Sequence, residues 1–155
     1  MSGAQTVRDV IEASRYLVLA TADAAGRLWS SPVYFAHIDF TEFFWISSPD
    51  VTHSRNIAVR PEVGIGIFDS HAAIGAGQGV YMSAAAALLD GGEAARGDRD
   101  VLARSVAHGA REWTNHDLRP DAGPRLYGAT ADSYSILAKD GRPDHRVPVP
   151  LGGPT

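Results

Sequence analysis

Five polar residues, Thr52, His53, Ser54, Arg55 and Asn56, form a cluster between two apolar, strand-like runs. All five can donate hydrogen bonds, and a short helix is expected to begin here. Backbone N–H groups at a helix start carry a partial positive charge, and arginine can bind two phosphate oxygens at once. This chemistry suits a phosphate group. The same spacing also fits a helix cap by Ser54 or Thr52 with Arg55 in solvent, so both interpretations remain open.

A second set of residues with chemical potential is Ser30, Ser31, Pro32 and Val33, in the middle of a strand-like run. Pro32 removes one donor of the hydrogen-bond ladder, so it is tolerated at an edge, at a bulge or where the strand faces something other than a neighbour. One interpretation is an ordinary edge strand. The other is a strand that turns its backbone toward a flat bound ligand.

A glycine-rich stretch invites a dinucleotide-binding interpretation, but it fails on spacing and on context. Gly75 and Gly77 would need a third glycine at position 80, which is Val80, and the run leads into a strand instead of a helix. These glycines predict a flexible turn. Gln78 beside them carries an amide that could either contact a ligand or face solvent.

The sequence lacks the residues that several other classes of reaction require. The chain has no cysteine, which excludes disulfides, thiolate catalysis and cysteine-ligated metals. Neither G-x-S-x-G nor H-E-x-x-H occurs, so an acyl-transfer serine and a metal site have no support. The six histidines stand singly, at positions 37, 53, 71, 108, 116 and 145.

The composition is that of one globular domain. The chain has 155 residues, of which 45% are hydrophobic and 21% charged, and 16 Gly and 9 Pro indicate many turns. A net charge of −4 with only 14 scattered Lys and Arg argues against nucleic-acid binding. The N-terminus lacks the order of a signal peptide, and no apolar run reaches the ~18 residues of a membrane span. We therefore expect a cytoplasmic protein without a membrane partner.

The hydrophobic patterns predict mostly strands. The predicted strands are 16–22, 28–38, 42–47, 62–68, 79–90 and 125–138. The predicted helices are one that Thr6 caps, one over 54–59 before Pro61, and one over 98–113 that Asp98 caps. Six strands with short helices predict a mainly β protein, a closed or partly closed antiparallel barrel. Residues 1–140 are expected to form this single domain, and residues 141–155 a loose tail.

Three stretches, YLVLATADAAGRLWSSPVYF, FFWISSPDVTHSRNIAVRPEVGIGIFDS and GQGVYMSAAAAL, together resemble the pyridoxamine 5′-phosphate oxidase-like split-barrel flavoproteins. The resemblance covers residues 14–90 well and the remainder loosely. It implies a six-stranded antiparallel split barrel and a homodimer. It also implies two flavin mononucleotide (FMN) sites at the dimer interface.

The resemblance further implies roles for single residues. The strand of Ser30, Ser31, Pro32 and Val33 would lie along the isoalloxazine ring of the flavin. The strand end at Ser47 and Ser48 would help to hold the ribityl phosphate, and the loop and helix start at 52–56 would supply cations to it.

Several positions match or depart from the family pattern. His53 stands where relatives often have lysine, so permanent charge is reduced, and Arg55 and Asn56 match an Arg-Asn pair of many relatives. Gln78 falls at a glutamine that contacts the flavin. Trp113 is a pocket candidate that would reach across the dimer, with packing as its alternative role. Tyr34, Tyr81 and His37 are further pocket candidates, for which packing is the alternative role.

The resulting functional hypothesis is a flavin-dependent oxidoreductase with an unknown small-molecule substrate and unknown catalytic residues. The alternatives are a deazaflavin-dependent reductase, a non-catalytic flavin- or ligand-binding protein of stress response or sensing, and a dimeric interaction module without cofactor. The arginine- and histidine-bearing C-terminal motif of the true oxidase is not evident, so vitamin B6 oxidation is not expected.

Overall fold

The computed structural model describes residues 2–110 and 123–151. Its helices are α1 (Gly3–Ala13), α2 (Thr52–Val59) and α3 (Gly91–Ala107). Its strands are β1 (Tyr16–Ala22), β2 (Leu28–Tyr34), β3 (Ala36–Ile38), β4 (Glu42–Ser47), β5 (Glu62–Phe68), β6 (Gly79–Leu88), β7 (Arg125–Leu137) and β8 (Arg146–Pro148). In this described part of the chain, no helix is long and apolar enough to cross a membrane.

The strands form one antiparallel sheet that curls into a split barrel, which confirms the predicted mainly β class. The strand order is β2-β1-β5-β6-β7-β4-β3, and β8 adds to β7. β2 and β3 are two parts of one extended run that is interrupted at Phe35. The first and the last strand of the sheet are therefore joined, and the sheet closes on itself. Counted together, they give the six expected strands, and β8 is an additional short strand.

Alternating apolar residues fill the inside of the barrel. In β1, Leu17 and Leu19 are fully buried, whereas Val18 between them is half-buried and Tyr16 and Ala20 on either side are exposed. The largest fully buried side chains are Trp45, Phe35, Phe43, Ile11, Leu17, Leu19, Ile67, Val7 and Val80. Full burial of such a side chain contributes roughly 1.5 to 3 kcal/mol, so this core is the main source of the stability of the fold.

The barrel is split between β2 and β4. In β3, Ala36 pairs with Phe44 and Ile38 with Glu42, and the same register would place Tyr34 opposite Ile46. The ladder stops at β3, however, and β2 pairs with β1 instead. The two strands therefore diverge after Phe35 and leave an opening between them.

All three helices begin earlier than predicted, and α2 starts at Thr52 instead of at residue 54. Helix α1 is capped by Ser2, whose hydroxyl accepts the N–H of Gln5 at 3.1 Å, and not by Thr6. Helix α3 spans Gly91–Ala107, so the expected cap Asp98 lies inside it, and the predicted end at 113 falls outside the described residues. Glycine weakens a helix, but Gly97 allows the close approach of α3 to β4 and β7. A Cβ there would lie 2.6 Å from Cδ1 of Phe44.

Part of the expected loose tail joins the sheet. Arg146–Pro148 pairs with the end of β7, and the N–H of Val149 donates to the carbonyl of Tyr134 at 2.9 Å. Val149 is also buried in the main core. Residues 146–149 are thus ordered against the barrel, because Val149 gains apolar contacts there.

Candidate functional site

A cavity of about 600 Å³ occupies the split between β2 and β4. This volume lies within the usual range of ligand pockets, which is roughly 300 to 1,000 Å³. The cavity is lined by Arg15, Tyr16, Pro32, Val33, Tyr34, Ile46, Ser47, His53, Val101, Ser105, His108, Gly109 and Ala110. We call the part next to Ser47 and His53 the α2 side, and the part next to Tyr34 and His108 the α3 side.

His53 organises the α2 side. The ring lies in the first turn of α2 and is nearly buried, with Nε2 2.9 Å from Oγ of Ser47 and Nδ1 3.2 Å from Oγ of Ser31. Burial lowers the pKa of His53 below its ordinary value of 6.5, so the ring is neutral at neutral pH. A neutral imidazole donates through one nitrogen and accepts through the other. His53 thus ties the end of β4 to β2 across the split.

The start of α2 offers backbone donors next to the cavity. Val51 precedes the helix and has no capping side chain, while the hydroxyl of Ser48 accepts the N–H of Asp50 at 3.2 Å and holds the preceding turn. The first N–H groups of α2 therefore lack a side-chain cap. The hydroxyl of Ser54 is buried and has no partner among the described residues. Uncapped backbone N–H groups at a helix start are donors that an anionic group can use, whereas Ser54 itself does not line the cavity.

The side chains of residues 52–56 do not all face the cavity. Thr52 and Arg55 are exposed, whereas Asn56 is buried and donates through Nδ2 to the hydroxyl of Thr21 at 3.0 Å. Asn56 therefore fixes α2 to β1, and it does not line the cavity. Only His53 of the five lines the cavity.

Two strand residues of the predicted site line the cavity, and β2 leaves backbone groups available beside them. Pro32 and Val33 form part of its wall, whereas Ser30 is exposed on the outside of β2. Within the described residues β2 pairs with β1 alone, so it is an edge strand, as Pro32 predicts. Its second edge carries amide and carbonyl groups that no strand uses.

Gln78 serves the barrel instead of the cavity. Its Nε2 donates to the carbonyl of Leu137 at 3.1 Å, and its Oε1 accepts the N–H groups of Leu137 and Gly79, each at 2.9 Å. All these contacts join the start of β6 to the end of β7. The structure does not bring Gln78 to the cavity of its own chain. Trp113 lies outside the described residues.

The α3 side contains residues that the sequence reasoning missed. The hydroxyl of Tyr34 lies 2.6 Å from Nδ1 of His108, the residue that ends α3, and Arg15 is close by. Tyr34 was named as a pocket candidate, but nothing paired it with His108. The sequence gives no signal for this pair, because the predicted helix over 98–113 places His108 inside it, whereas α3 ends at Ala107. The other two candidates, Tyr81 and His37, do not line this cavity.

Comparison with known proteins identifies relatives of this fold. A family model described as pyridoxamine 5′-phosphate oxidase matches residues 4–130. No curated protein sequence matches the chain.

Solved structures with the same fold differ widely in what they are named for. A heme binding protein from Mycobacterium smegmatis has a TM-score of 0.75 and 19% identity over 96% of this chain, which spans only 58% of that protein. A putative 5-nitroimidazole antibiotic resistance protein from Bacteroides thetaiotaomicron has a TM-score of 0.69 and 10% identity, covering 88% of this chain and 84% of the other. A FAD-binding protein from Mesorhizobium loti has a TM-score of 0.65 and 18% identity, covering 86% and 91%. These likenesses show a common fold.

Proposed function

The chain belongs to the pyridoxamine 5′-phosphate oxidase family, and on this premise we propose that it binds FMN and acts as a flavin-dependent oxidoreductase on a small molecule. One observation carries the proposal. The split of the barrel contains a cavity of about 600 Å³ with an unpaired strand edge on one wall and the uncapped start of α2 on another. An unpaired strand edge offers hydrogen bonds to the polar edge of a flat ring, and an uncapped helix start offers donors to an anionic group.

The phosphate would be held at the α2 side. The first N–H groups of α2 carry the positive end of the helix dipole, and the Ser47 hydroxyl and His53 lie on the cavity wall. Because His53 is neutral, Arg55 would supply the charge. It is exposed and has no carboxylate partner among the residues that the structure describes.

The ring would lie along β2 beside Pro32 and Val33. The free backbone edge of this strand can donate to and accept from a polar ring edge, while Val33 and Ile46 exclude water. Bound flavin supplies hydride chemistry, and the protein contributes binding, orientation and shielding.

We further propose a homodimer with the cofactor at its interface. Two rows of outward-facing residues cross β2, β1, β5 and β6 without a single charge, and both are rich in small side chains. By register, one row consists of Pro32, Val18, Gly66 and Tyr81, and the other consists of Ser30, Ala20, Gly64 and Ser83. A flat, uncharged face of this kind is suited to a second copy of the chain, whose approach would cover the open side of the cavity.

The cofactor is tested by reconstitution. Apoprotein is titrated separately with FMN, riboflavin, the deazaflavin cofactor and haem, and binding is followed by absorption and flavin fluorescence. We expect one FMN per chain, bound at least tenfold more tightly than riboflavin, which lacks the phosphate. Preference for deazaflavin or haem would replace FMN by that cofactor, and haem is included because a structural relative is named for binding it. Absence of binding to all four would contradict the proposal.

Two variants locate the phosphate and the interface. Arg55→Ala should weaken FMN binding by roughly ten- to a hundredfold with little change for riboflavin, whereas Arg60→Ala at the other end of α2 should not weaken it.

Ala20→Glu should produce monomers in light-scattering chromatography and release FMN, with Ala25→Glu in the β1–β2 turn as the control. A wild type that is monomeric, or a monomeric variant that retains FMN, would contradict the interface site.

A further inference from the structure

The α3 side of the cavity contains a hydrogen-bonded pair that the phosphate does not need. Oη of Tyr34 lies 2.6 Å from Nδ1 of His108, and the two rings meet edge to face with centroids 5.7 Å apart. Both residues line the cavity. Tyr34 follows Pro32 by two residues on β2, a separation of roughly 7 Å, so the pair stands next to the strand stretch proposed for the ring.

Both members of the pair are neutral near pH 7. Partial burial, together with the charges of Arg15 and Arg104, lowers the pKa of His108. Burial raises the pKa of Tyr34, against the opposing effect of the same two arginines. Tyr16 packs edge-on against Tyr34 at 5.9 Å. A neutral hydroxyl therefore faces a neutral imidazole.

This neutrality lets Tyr34 both donate and accept. If the His108 proton is on Nε2, Tyr34 donates to Nδ1 and its oxygen accepts from a ligand hydroxyl. If the proton is on Nδ1, His108 donates to Tyr34, whose own hydrogen can then bond a ligand carbonyl. The Tyr34–His108 contact persists in both cases. The site thus matches a carbonyl and the corresponding hydroxyl equally well.

His108 also reaches a second opening. A cleft of about 470 Å³ between α1, β3 and α3 is lined by His108 and by the polar residues Glu12, His37, Asp100 and Arg104. In it, Nε2 of His37 lies 2.9 Å from a carboxylate oxygen of Glu12. Since His108 lines both the cavity and this polar cleft, it offers a path for protons between them.

We propose that the substrate is a small molecule of a carbonyl/hydroxyl couple, such as a quinone and its hydroquinone, and that Tyr34 is its acid–base residue with His108 as the positioning residue. This inference rests on the proposed flavin function. In the reducing direction, the substrate gains a hydride from reduced flavin, which is thereby oxidised. The substrate oxygen gains a proton from Tyr34. Tyr34 regains a proton from Nδ1 of His108, and Nε2 takes one from water in the second cleft. The hydroxide that remains carries the negative charge that left the flavin with the hydride.

The test follows the oxidation of FMN-loaded, dithionite-reduced protein by menadione, a quinone, in an anaerobic stopped-flow instrument. Tyr34→Phe should slow this step about a hundredfold or more, since a hundredfold is the lower end of the usual range for a lost acid–base group. His108→Asn retains a hydrogen-bonding group near Nδ1 but cannot relay a proton, so the rate should fall at least tenfold. The wild-type rate should rise as the pH falls through the pKa of His108, and this dependence should be lost in His108→Asn.

Controls separate the possible failures. Tyr134→Phe and His71→Asn remove the same groups outside the cavity and should react as the wild type does. FMN dissociation constants should stay within about twofold in all variants, and 15N NMR of the imidazole in apoprotein should show that Tyr34→Phe perturbs His108. If the wild type binds no FMN, the proposed function fails. If FMN binds but menadione does not react, or Tyr34→Phe reacts at the wild-type rate, only the present inference is overturned.

Discussion

The two sides of the cavity are held by different kinds of contact. On the α2 side, Ser31, Ser47 and His53 come from neighbouring parts of the chain and form a neutral hydroxyl–imidazole network across the split. On the α3 side, Tyr34 and His108 are 74 residues apart and lie near cationic side chains. Under the proposed function, this difference corresponds to a division of roles: the α2 side would bind the cofactor phosphate, and the α3 side would exchange protons with the substrate.

The largest change should come from moving α3 away from the barrel. Gly97→Val places a side chain where a Cβ already lies 2.6 Å from Phe44 and 2.8 Å from Leu126, so we expect a loss of about 2 to 3 kcal/mol in the free energy of unfolding. Urea denaturation measures this loss. The Tyr34–His108 contact should be disrupted while His53 keeps its partners, which histidine NMR can follow. Gly92→Ala, where no atom lies within 4 Å, is the control. Equal stability of both variants would contradict the packing of α3.

A smaller change in the free energy of unfolding is expected in α2, where two adjacent residues should differ in their contribution to stability. Asn56→Ala removes the buried hydrogen bond to Thr21 and should destabilise the protein by about 1 to 2 kcal/mol. Arg55→Ala, at an exposed position, should cost less than about 0.5 kcal/mol. Thermal and urea unfolding of the apoproteins compare them. If Arg55→Ala were the more destabilising of the two, Arg55 would have a structural role and its assignment to the phosphate would weaken.

The smallest effect should be the response to acid. Burial lowers the pKa of His53, so the unfolded chain binds its proton more readily than the folded protein does. Stability should therefore fall as the pH drops below the ordinary histidine value of 6.5, until the folded-state pKa is passed. His37 and His108, whose pKa values are also lowered by burial, add to this trend.

His53→Gln should show a shallower pH dependence of the unfolding free energy than the wild type between about pH 5 and pH 7. Urea unfolding at several pH values measures the slope. An identical slope in both proteins would show that His53 is not held neutral by its surroundings.

The strands were predictable because alternation of apolar residues is a local property. The predicted bounds of β1, β4 and β5 agree with the structure. Helix α3 was misplaced because Gly91, Gly92 and Gly97 disfavour a helix locally, and the reason for Gly97 lies in its contact with β4 and β7.

The site was predictable only in part. Pro32, Val33, Ser47 and His53 line the cavity, as a site along β2 and the start of α2 requires. The amides of Asn56 and Gln78 bind within the barrel, a destination that residue type does not reveal. The pairing of Tyr34 with His108 depends on the path of α3, which no local pattern encodes.

The most direct test of the account is a 1H–15N NMR titration of the apoprotein with FMN. We expect the largest shifts at the backbone amides of Thr52, His53 and Ser54, where the phosphate would lie, and at Ser31 and Val33 on β2. Riboflavin should move the β2 amides and leave the α2 amides nearly unchanged. Shifts confined to the cleft between α1, β3 and α3, or identical α2 shifts with both ligands, would contradict the assignment of the split as the flavin phosphate site.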